Sequence, residues 1–207
     1  GFKTDSEVLK GLTIAADALS NVGFEVHEVS PPLLEETAKE GYSALLGEVS
    51  GLLGDDIRKY GSKKIQMIFD EYFRQFEPYE GRKLLTAMAN RTRYAREWSL
   101  FMDEYPLIIS NLIPTTFFYP DRDAEGAAGV TEVLGAALWS YSVNFIGHPA
   151  GIVPTHISYT KTGATPIGIQ IIGQRWREDT VVSALIAIEK HCGTIYEKLW
   201  KQLGWLN

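Results

Sequence analysis

Histidine and cysteine are the residues of this chain whose types most readily suggest catalysis or metal binding. The four histidines stand at positions 27, 148, 156 and 191, and the single cysteine is Cys192. The histidines are too scattered for a local zinc signature, so we expect no bound metal. His191 and Cys192 are neighbours, and neighbours on a helix point about 100° apart, which disfavours a nucleophile and base pair. We therefore expect Cys192 to be a buried thiol near a helix end.

Serine and lysine offer no local catalytic pattern either. No serine stands in a Gly-x-Ser-x-Gly turn between a strand and a helix, the arrangement of a nucleophile elbow. Lys161 and Lys190 could act as bases only if they were desolvated, and Lys161 belongs to the polar stretch Ser-Tyr-Thr-Lys-Thr-Gly, which favours a solvated lysine. The residues taken alone therefore predict no catalytic group within this chain.

The elements that must position these side chains begin with a helix and a strand. Apolar residues recur at helical spacing from Val8 to Val22, and Gly23 is a suitable helix end. The following stretch, Phe24–Val29, alternates apolar Phe24, Val26 and Val29 with polar residues, and Ser-Pro-Pro follows it. This pattern predicts a half-buried strand.

The central part of the chain is predicted to be mostly helical. It extends from Leu33 to Tyr105 and is interrupted at Gly54, Gly61 and Pro78. One side of its clearest helix should face a core or a pocket, because apolar residues gather there: Leu84, Leu85, Met88, Ala95, Trp98, Met102 and Tyr105.

Strands and helices alternate in the remainder. The stretch Tyr-Pro-Leu-Ile-Ile-Ser predicts a buried strand, and further elements are a helix over about Val130 to Tyr141, strands near Ile152–Pro154 and Ile167–Ile172, and a helix over Glu178–Cys192. Strands separated by helices predict an α/β fold. No repeat, low-complexity stretch or flexible linker marks a boundary, so residues 1–207 are interpreted as a single unit.

Composition narrows the classes of partner. The chain is 45% hydrophobic, carries a formal net charge of −6 and has no basic stripe, so we expect no nucleic-acid partner. No apolar run approaches the length of a membrane span, and a single cysteine suits a reducing compartment. These features predict a cytoplasmic protein without a cofactor.

Three stretches carry a resemblance to a known family. They are Trp-Ser-Tyr-Ser-Val-Asn-Phe-Ile-Gly-His-Pro-Ala-Gly-Ile-Val-Pro, then Gly-Ala-Thr-Pro-Ile-Gly-Ile-Gln-Ile-Ile-Gly-Gln-Arg-Trp-Arg-Glu-Asp with its alanine-rich helix, and the N-terminal helix, strand and Pro-Pro passage. In order and spacing the chain resembles the C-terminal part of amidase signature enzymes. It departs from them at His156, where a glycine is common, and at Ala164–Pro166, where Gly-Leu-Pro is usual.

The resemblance implies a fold and a reaction. The fold would be α/β, part of a mixed β-sheet flanked by helices. Family members hydrolyse carboxamides through an acyl-enzyme, using two serines and a lysine from a Gly-Ser-rich N-terminal half, and nothing in this chain matches that half. Catalytic residues are therefore expected on a missing N-terminal part or subunit, with residues 145–173 forming the wall opposite them.

Within that wall, glycine and proline are expected to hold the backbone close to the catalytic loop. Gly147 and Gly151 would permit the approach, and Pro149 and Pro154 would fix it. Gln170 stands between isoleucines, and a buried amide there would satisfy neighbouring backbone groups. Solvent exposure of Gln170 is the alternative.

Substrate-binding residues are predicted at Trp176, Arg177 and Asn144. Trp176 would face the acyl group, with core packing as the alternative. Arg177 occupies a place where glutamine-using relatives tend to carry an acidic residue, which argues against an α-amino acid amide; a solvated loop charge is the alternative. Asn144 would otherwise cap or turn the backbone.

Three functions remain open at this point. The first is an amidase acting on a neutral or apolar carboxamide, the second the amidase subunit of a tRNA-dependent amidotransferase, and the third a non-catalytic amidase-like binding module. The expected partners are a small amide substrate and the N-terminal half or subunit, and a homo-oligomer is left open.

Overall fold

The computed structural model describes residues 3–160 and 163–206, which form two compact units. The first unit contains Gly1–Pro31, Ser99–Phe117 and Gly147–Asn207, and the second contains Pro32–Trp98 and Phe118–Ile146. In chain order the helices are α1 (Ser6–Ser20), α2 (Leu34–Tyr60), α3 (Lys63–Gln75), α4 (Gly81–Glu104), α5 (Ala127–Gly135), α6 (Leu138–Ile146), α7 (Glu178–Cys192) and α8 (Ile195–Gln202). The α/β class is confirmed, whereas the single-unit interpretation of residues 1–207 stays a prediction.

The first unit is built on a three-stranded antiparallel sheet. Its strands are β1 (Leu107–Asn111), β2 (Ala150–Thr160) and β3 (Gly163–Gly173), in the order β1-β3-β2. Three of the four predicted strands are confirmed, although β2 and β3 are longer than expected and pair as a hairpin. Lys161, the solvated lysine of the sequence analysis, lies outside the described residues.

Helices α1 and α7 pack on this sheet. Ile169 and Ile171 of β3 are fully buried, and the core that they share with the two helices and β2 consists of Ala15, Ala18, Leu19, Val153, Val181, Ala184 and Ile188. The predicted helices Val8–Val22 and Glu178–Cys192 are confirmed as α1 and α7. Gly23 ends the first as expected, with a left-handed φ of +98°.

The second unit is helical, with an aromatic centre. The ring of Tyr42 in α2 meets Phe76 edge-on, with the centroids 4.7 Å apart, and lies 4.3 Å from Tyr141 of α6. Trp98 of α4 is fully buried and packs edge-to-face against Trp139. These contacts join helices that are distant in sequence, so the unit has its own core.

The predicted strand at Phe24–Val29 is wrong. The segment has no regular secondary structure, and its six residues are all exposed. A strand requires a hydrogen-bonded neighbour, and no described strand pairs with this segment. The alternating pattern is therefore present without the partner that would make it a strand.

Several helical details also differ from prediction. Helix α2 continues through Gly54, because the propensity cost of one helical glycine, about 1 kcal/mol, can be outweighed by the rest of a long helix. The expected helix at Val130–Tyr141 is divided into α5 and α6 by a turn in which Ala137 N donates to Leu134 O, 3.1 Å. Helix α8 was not predicted.

Helix α4 buries only part of its expected apolar side. Trp98 and Met102 are fully buried, whereas Leu85 is 72% exposed and Met88 is also exposed. Sequence periodicity defines a face of a helix, but the presence of a covering layer depends on tertiary structure.

Candidate functional site

The candidate site is the β2–β3 hairpin together with the loop that leads into α7. The chain enters β2 after Gly147, whose φ of +72° lies in the region that favours glycine. It leaves β3 at Gly173 and reaches the start of α7 within four residues, 174–177. Both ends of the hairpin are thus close together, because Gly173 N donates to Pro149 O across 2.8 Å.

Gln170 is buried, which contradicts its alternative placement in solvent. It is 4% exposed and lies in β3 opposite Ser110 of β1 in the strand register. Gln170 Nε2 donates a hydrogen bond to Ser110 Oγ, 3.2 Å away. The amide is therefore satisfied by a side-chain hydroxyl on the next strand, where the sequence analysis expected a backbone group.

Gly151 has a packing role within this chain. A Cβ at this position would overlap the Leu185 side chain of α7, and a Cβ at Gly173 would overlap Val181 of the same helix. The two glycines therefore allow α7 to pack closely on the hairpin. An approach of Gly151 to a catalytic loop outside this chain stays a prediction.

His148 stabilises the turn that begins the hairpin. Its ring is buried, and Nδ1 lies 3.0 Å from Gly173 O. A carbonyl oxygen only accepts, so Nδ1 carries the proton in this contact. Burial lowers the pKa of His148 below its usual value, although the bond to Gly173 opposes that shift. These features indicate a neutral, structural imidazole.

The loop after β3 is held by two contacts to the segment around the end of α4. Gln174 N donates to Pro106 O, 3.2 Å, and Gln174 Nε2 donates to Asp103 Oδ1, 2.9 Å. Arg177 N then donates to Gln174 O, 3.0 Å, which closes a turn with Trp176 at its third position. The loop backbone is thus fixed on both sides of Trp176.

Trp176 has an exposed side chain on a strained backbone. Its φ is +66°, a region that glycine normally occupies at the third position of such a turn, and its side chain is 82% exposed. The core-packing alternative for Trp176 is therefore wrong within this chain. A non-glycine residue in this conformation costs about 1–3 kcal/mol, and such residues cluster at functional positions.

Arg177 is paired with Asp179 in the first turn of α7. Its Nε and Nη2 donate to the two carboxylate oxygens of Asp179 at 2.9 and 3.0 Å. The bond from Arg177 lowers the pKa of the Asp179 carboxyl below its usual value. The alternative prediction, that Arg177 is a solvated loop charge, is only partly correct, because its guanidinium is half exposed but bound to a carboxylate.

Asn144 belongs to the second unit, whereas Trp176 and Arg177 adjoin each other in the first. It is exposed in the last turn of α6, and its Nδ2 donates to Ser140 Oγ at 3.3 Å, one helical turn earlier. This hydrogen bond is made to a side chain, so it is not the backbone cap that the alternative prediction described. The substrate-binding role of all three residues stays a prediction.

A further polar cluster was missed by the sequence analysis. His156 Nε2 lies 3.1 Å from Glu7 Oε2 of α1, and His156 Nδ1 lies 3.1 Å from Thr155 Oγ1. Neighbouring strand residues normally face opposite sides, but the register shifts between Pro154 and His156 and lets these two side chains meet. The unusual histidine was the available signal, since it stands where the family commonly has glycine.

This cluster does not have the accessibility of a catalytic triad. Thr155 is 4% exposed, and its hydroxyl also donates to Ile167 O at 3.3 Å. A Cβ on Gly11 of α1 would lie 3.0 Å from Thr155 Oγ1, so the helix passes directly over the hydroxyl. The cluster instead joins α1 to β2.

The remaining candidates are structural in character. Cys192 ends α7 as a partly buried residue, and burial raises the pKa of its thiol above the usual value. Its position at a helix end is as predicted, whereas its burial is only partial. Among the described residues, no three histidine, cysteine or acidic side chains are grouped so that they could hold a metal ion. In the same residues, no helix has both the length and the apolarity to cross a membrane.

Comparison with known proteins identifies the architecture. The chain is 27% identical over 200 residues to an indoleacetamide hydrolase of Bradyrhizobium japonicum, a match that spans 96% of this chain and 42% of that protein. It is 26% identical to a subunit of the glutamyl-tRNA(Gln) amidotransferase of Clostridium acetobutylicum, over 90% of this chain and 42% of the relative. The chain therefore spans less than half the length of these relatives and corresponds to their C-terminal part.

A solved structure supports the same conclusion about the fold. The 6-aminohexanoate cyclic dimer hydrolase superposes with a TM-score of 0.70 at 18% identity, over 94% of this chain and 43% of that enzyme. The profile of the Amidase family matches residues 1–182, which is most of the sequence. The chain thus belongs to the Amidase family.

Proposed function

We propose that this chain is the C-terminal part of a serine-dependent amidase that hydrolyses a neutral or apolar carboxamide to a carboxylate and ammonia or an amine. The observation that carries this proposal is the match to an indoleacetamide hydrolase across nearly the whole of this chain. The enzyme's remaining part, as a preceding segment or a separate subunit, is the proposed partner.

The chemistry would be divided between the two parts. A serine of the remaining part attacks the amide carbonyl carbon, the serine proton passes through a second serine and a lysine to the leaving nitrogen, and the amine departs. Water then hydrolyses the acyl-enzyme and restores the serine. This chain contributes no group to those bond changes; it provides the hairpin wall and the groups that orient the substrate.

The strained turn supports an apolar acyl preference. The loop around Trp176 is fixed by Gln174, and the indole extends from it into solvent. An exposed aromatic on a rigid backbone offers a preformed apolar surface at a small entropic cost. The proposed role of Trp176 is therefore to contact the acyl group, which is consistent with an aromatic or alkyl substituent.

The charges beside this turn favour an uncharged substrate. Arg177 places a guanidinium at the start of α7, and its pairing with Asp179 removes that carboxylate from reach of a substrate ammonium group. Asn144 would contribute an amide oxygen that can accept a hydrogen bond from the carboxamide N–H. Both roles are proposals for the complete enzyme.

The proposal is tested by expressing this chain together with the proposed remaining part, either as one longer polypeptide or as a complex of two. Indole-3-acetamide, hexanamide and glutamine are assayed for ammonia release, alongside the isolated chain. We expect turnover of the two neutral amides by the complete enzyme only. Serine-dependent hydrolysis by the isolated chain, or preference for glutamine, would contradict the assignment.

A matched pair of variants tests the acyl contact. Trp176→Ala in the complete enzyme should change the ratio of kcat/KM between indole-3-acetamide and acetamide by roughly tenfold or more, because an apolar contact is lost. Trp176→Phe keeps an aromatic surface and should change that ratio much less. An equal loss for both substrates in Trp176→Ala would refute a pocket role.

The second candidate is the amidase subunit of a tRNA-dependent amidotransferase. Its support is the similarity to the amidotransferase protein of Clostridium acetobutylicum, while Arg177 counts against it. Glutamine hydrolysis that depends on charged tRNA and on a partner subunit would favour this candidate. Binding of amides without any turnover by the complete protein would favour the third, a non-catalytic module.

A further inference from the structure

The turn that carries the exposed indole begins where β3 ends. Leu107 of β1 lies opposite Gly173 of β3 in the strand register, and Gln174 N donates to Pro106 O at 3.2 Å. The pairing of β1 with β3 therefore continues by one residue into the turn. This contact joins two backbone groups, so it does not require a glutamine side chain at position 174.

The glutamine side chain adds a second contact at the same place. Gln174 Nε2 donates to Asp103 Oδ1 across 2.9 Å, which joins the turn to the last turn of α4. Asp103 itself is exposed, but the preceding residue, Met102, is fully buried and anchors this end of the helix. A hydrogen bond to a carboxylate is stronger than one between neutral groups, so the contact can restrain the turn.

Asp103 is unfavourable for its own helix. The last turn of α4 contains Asp103 and Glu104 and no basic residue, although the C-terminal end of a helix carries partial negative charge. Helix stability therefore does not explain a carboxylate at this position. Residues that break a local rule are expected where a function or a tertiary contact requires them, and the contact of Asp103 is with Gln174.

The turn carries this restraint to the indole. Arg177 N donates to Gln174 O at 3.0 Å, so the residue that bonds Asp103 also closes the turn around Trp176. Trp176 has a φ of +66°, and such a conformation persists only where the surrounding structure holds it. The direction of the indole therefore depends on how firmly Gln174 is fixed.

We propose that Asp103 and Gln174 are positioning residues that hold the Trp176 indole where it contacts the acyl group of the substrate. This inference rests on the proposed function. Neither residue touches the substrate, and both act through Trp176. Their effect is therefore on the discrimination between large apolar and small acyl groups, whereas the bond-making steps belong to the remaining part of the enzyme.

Substitutions at Asp103 in the complete enzyme test this role. Asp103→Ala should lower the ratio of kcat/KM for indole-3-acetamide to that for acetamide by about threefold to tenfold, through a higher KM for the indole substrate. Asp103→Asn keeps an acceptor oxygen and should leave the ratio within about twofold of the wild type. Glu104→Ala removes the neighbouring carboxylate and should also leave it unchanged. An equal loss for both substrates in Asp103→Ala would overturn the inference.

A double variant tests whether Asp103 acts through the indole. If it does, Asp103→Ala should change the substrate ratio very little once Trp176→Ala is present, because the group that it positions is gone. A further fall in the double variant, as large as that caused by Asp103→Ala alone, would show that the two residues act independently and would overturn the inference.

Hydrogen exchange in the complete enzyme provides a readout that needs no turnover. The Arg177 amide, which closes the turn, should exchange about tenfold faster in Asp103→Ala and at the wild-type rate in Asp103→Asn. Faster exchange in a protein that hydrolyses no amide would refute the proposed function and retain the restraint by Asp103. Amide hydrolysis with unchanged exchange and an unchanged substrate ratio would retain the function and refute the positioning role.

Discussion

Replacing Gln170 by methionine and Ser110 by alanine tests how the centre of the sheet tolerates a polar pair. The two side chains are 4% and 3% exposed and share one hydrogen bond of 3.2 Å. Methionine is close to glutamine in length, so it removes the amide with little change in volume. Alanine removes the hydroxyl and a small volume.

The expected magnitudes follow from burial. Each single variant leaves one buried polar group without its described partner, which should cost about 1–3 kcal/mol of stability. The double variant Gln170→Met/Ser110→Ala removes both polar groups and should be nearly as stable as the wild type, since two apolar groups then meet. The coupling energy between the two sites is then the sum of the two single costs, about 2–6 kcal/mol in magnitude.

Native-state hydrogen exchange is the suitable assay, because the chain contains two compact units and one unfolding midpoint would average them. Opening free energies are measured for the amides of β1 and β3 in the wild type and the three variants. Ser183 is exposed on α7, and its hydroxyl bonds Asp179 O, so Gln170→Met with Ser183→Ala is a control pair that should show no coupling.

Additive effects of the two substitutions, within about 0.5 kcal/mol, would refute the reasoning. Such a result would mean that the hydrogen bond contributes nothing beyond the two separate environments. A double variant less stable than either single variant would likewise show that the pair fills space that methionine and alanine cannot.

Three further predictions concern other parts of the chain. Gly129→Ala should destabilise the second unit by about 1–3 kcal/mol, because its Cβ would overlap a backbone carbonyl. Gly51→Ala is the matched control: its Cβ meets open space, so it should stabilise α2 by about 0.5–1 kcal/mol. Thermal unfolding of the two variants measures both changes in stability. The hydrogen bond from His156 lowers the pKa of Glu7, so this carboxylate contributes stability that is present above its ordinary pKa of 4.5 and is lost as the pH falls through the lower folded-state pKa. Glu7→Gln should therefore reduce the change of the denaturation midpoint with pH between about pH 6 and pH 3. A variant with the same pH dependence as the wild type would refute this prediction. Trp176→Gly should be more stable than Trp176→Ala by about 1 kcal/mol, because only glycine accommodates the φ of +66° without strain, and equal unfolding midpoints would show that the turn is relaxed.

The local elements could largely be predicted from the sequence. Helix α7 begins and ends at the predicted residues, and the end of α1 at Gly23 follows from glycine's conformational freedom. The buried state of Gln170 was also predictable, since isoleucines flank it on both sides. Periodicity and turn chemistry act over a few residues, and a sequence shows them directly.

The contacts across the fold required the structure. Ser110 and Gln170 are 60 residues apart, and nothing local in either stretch indicates that their strands are neighbours. The meeting of Glu7 with His156 depends on a register shift within β2 and on α1 crossing above it. The exposed indole of Trp176 likewise follows from a turn closed by Gln174, whose position is set by contacts to Asp103 and Pro106.

The sequence by itself determined the family resemblance, the main helices, the hairpin strands and the lack of a local catalytic motif, because these depend on residue order and spacing. Only the tertiary structure decided that the alternating residues 24–29 remain unpaired, that Gly151 and Gly173 serve the packing of α7, and that Trp176 is exposed. The physical reason is that pairing and burial are properties of two surfaces. A sequence describes one of them, whereas the fold determines whether the second is present.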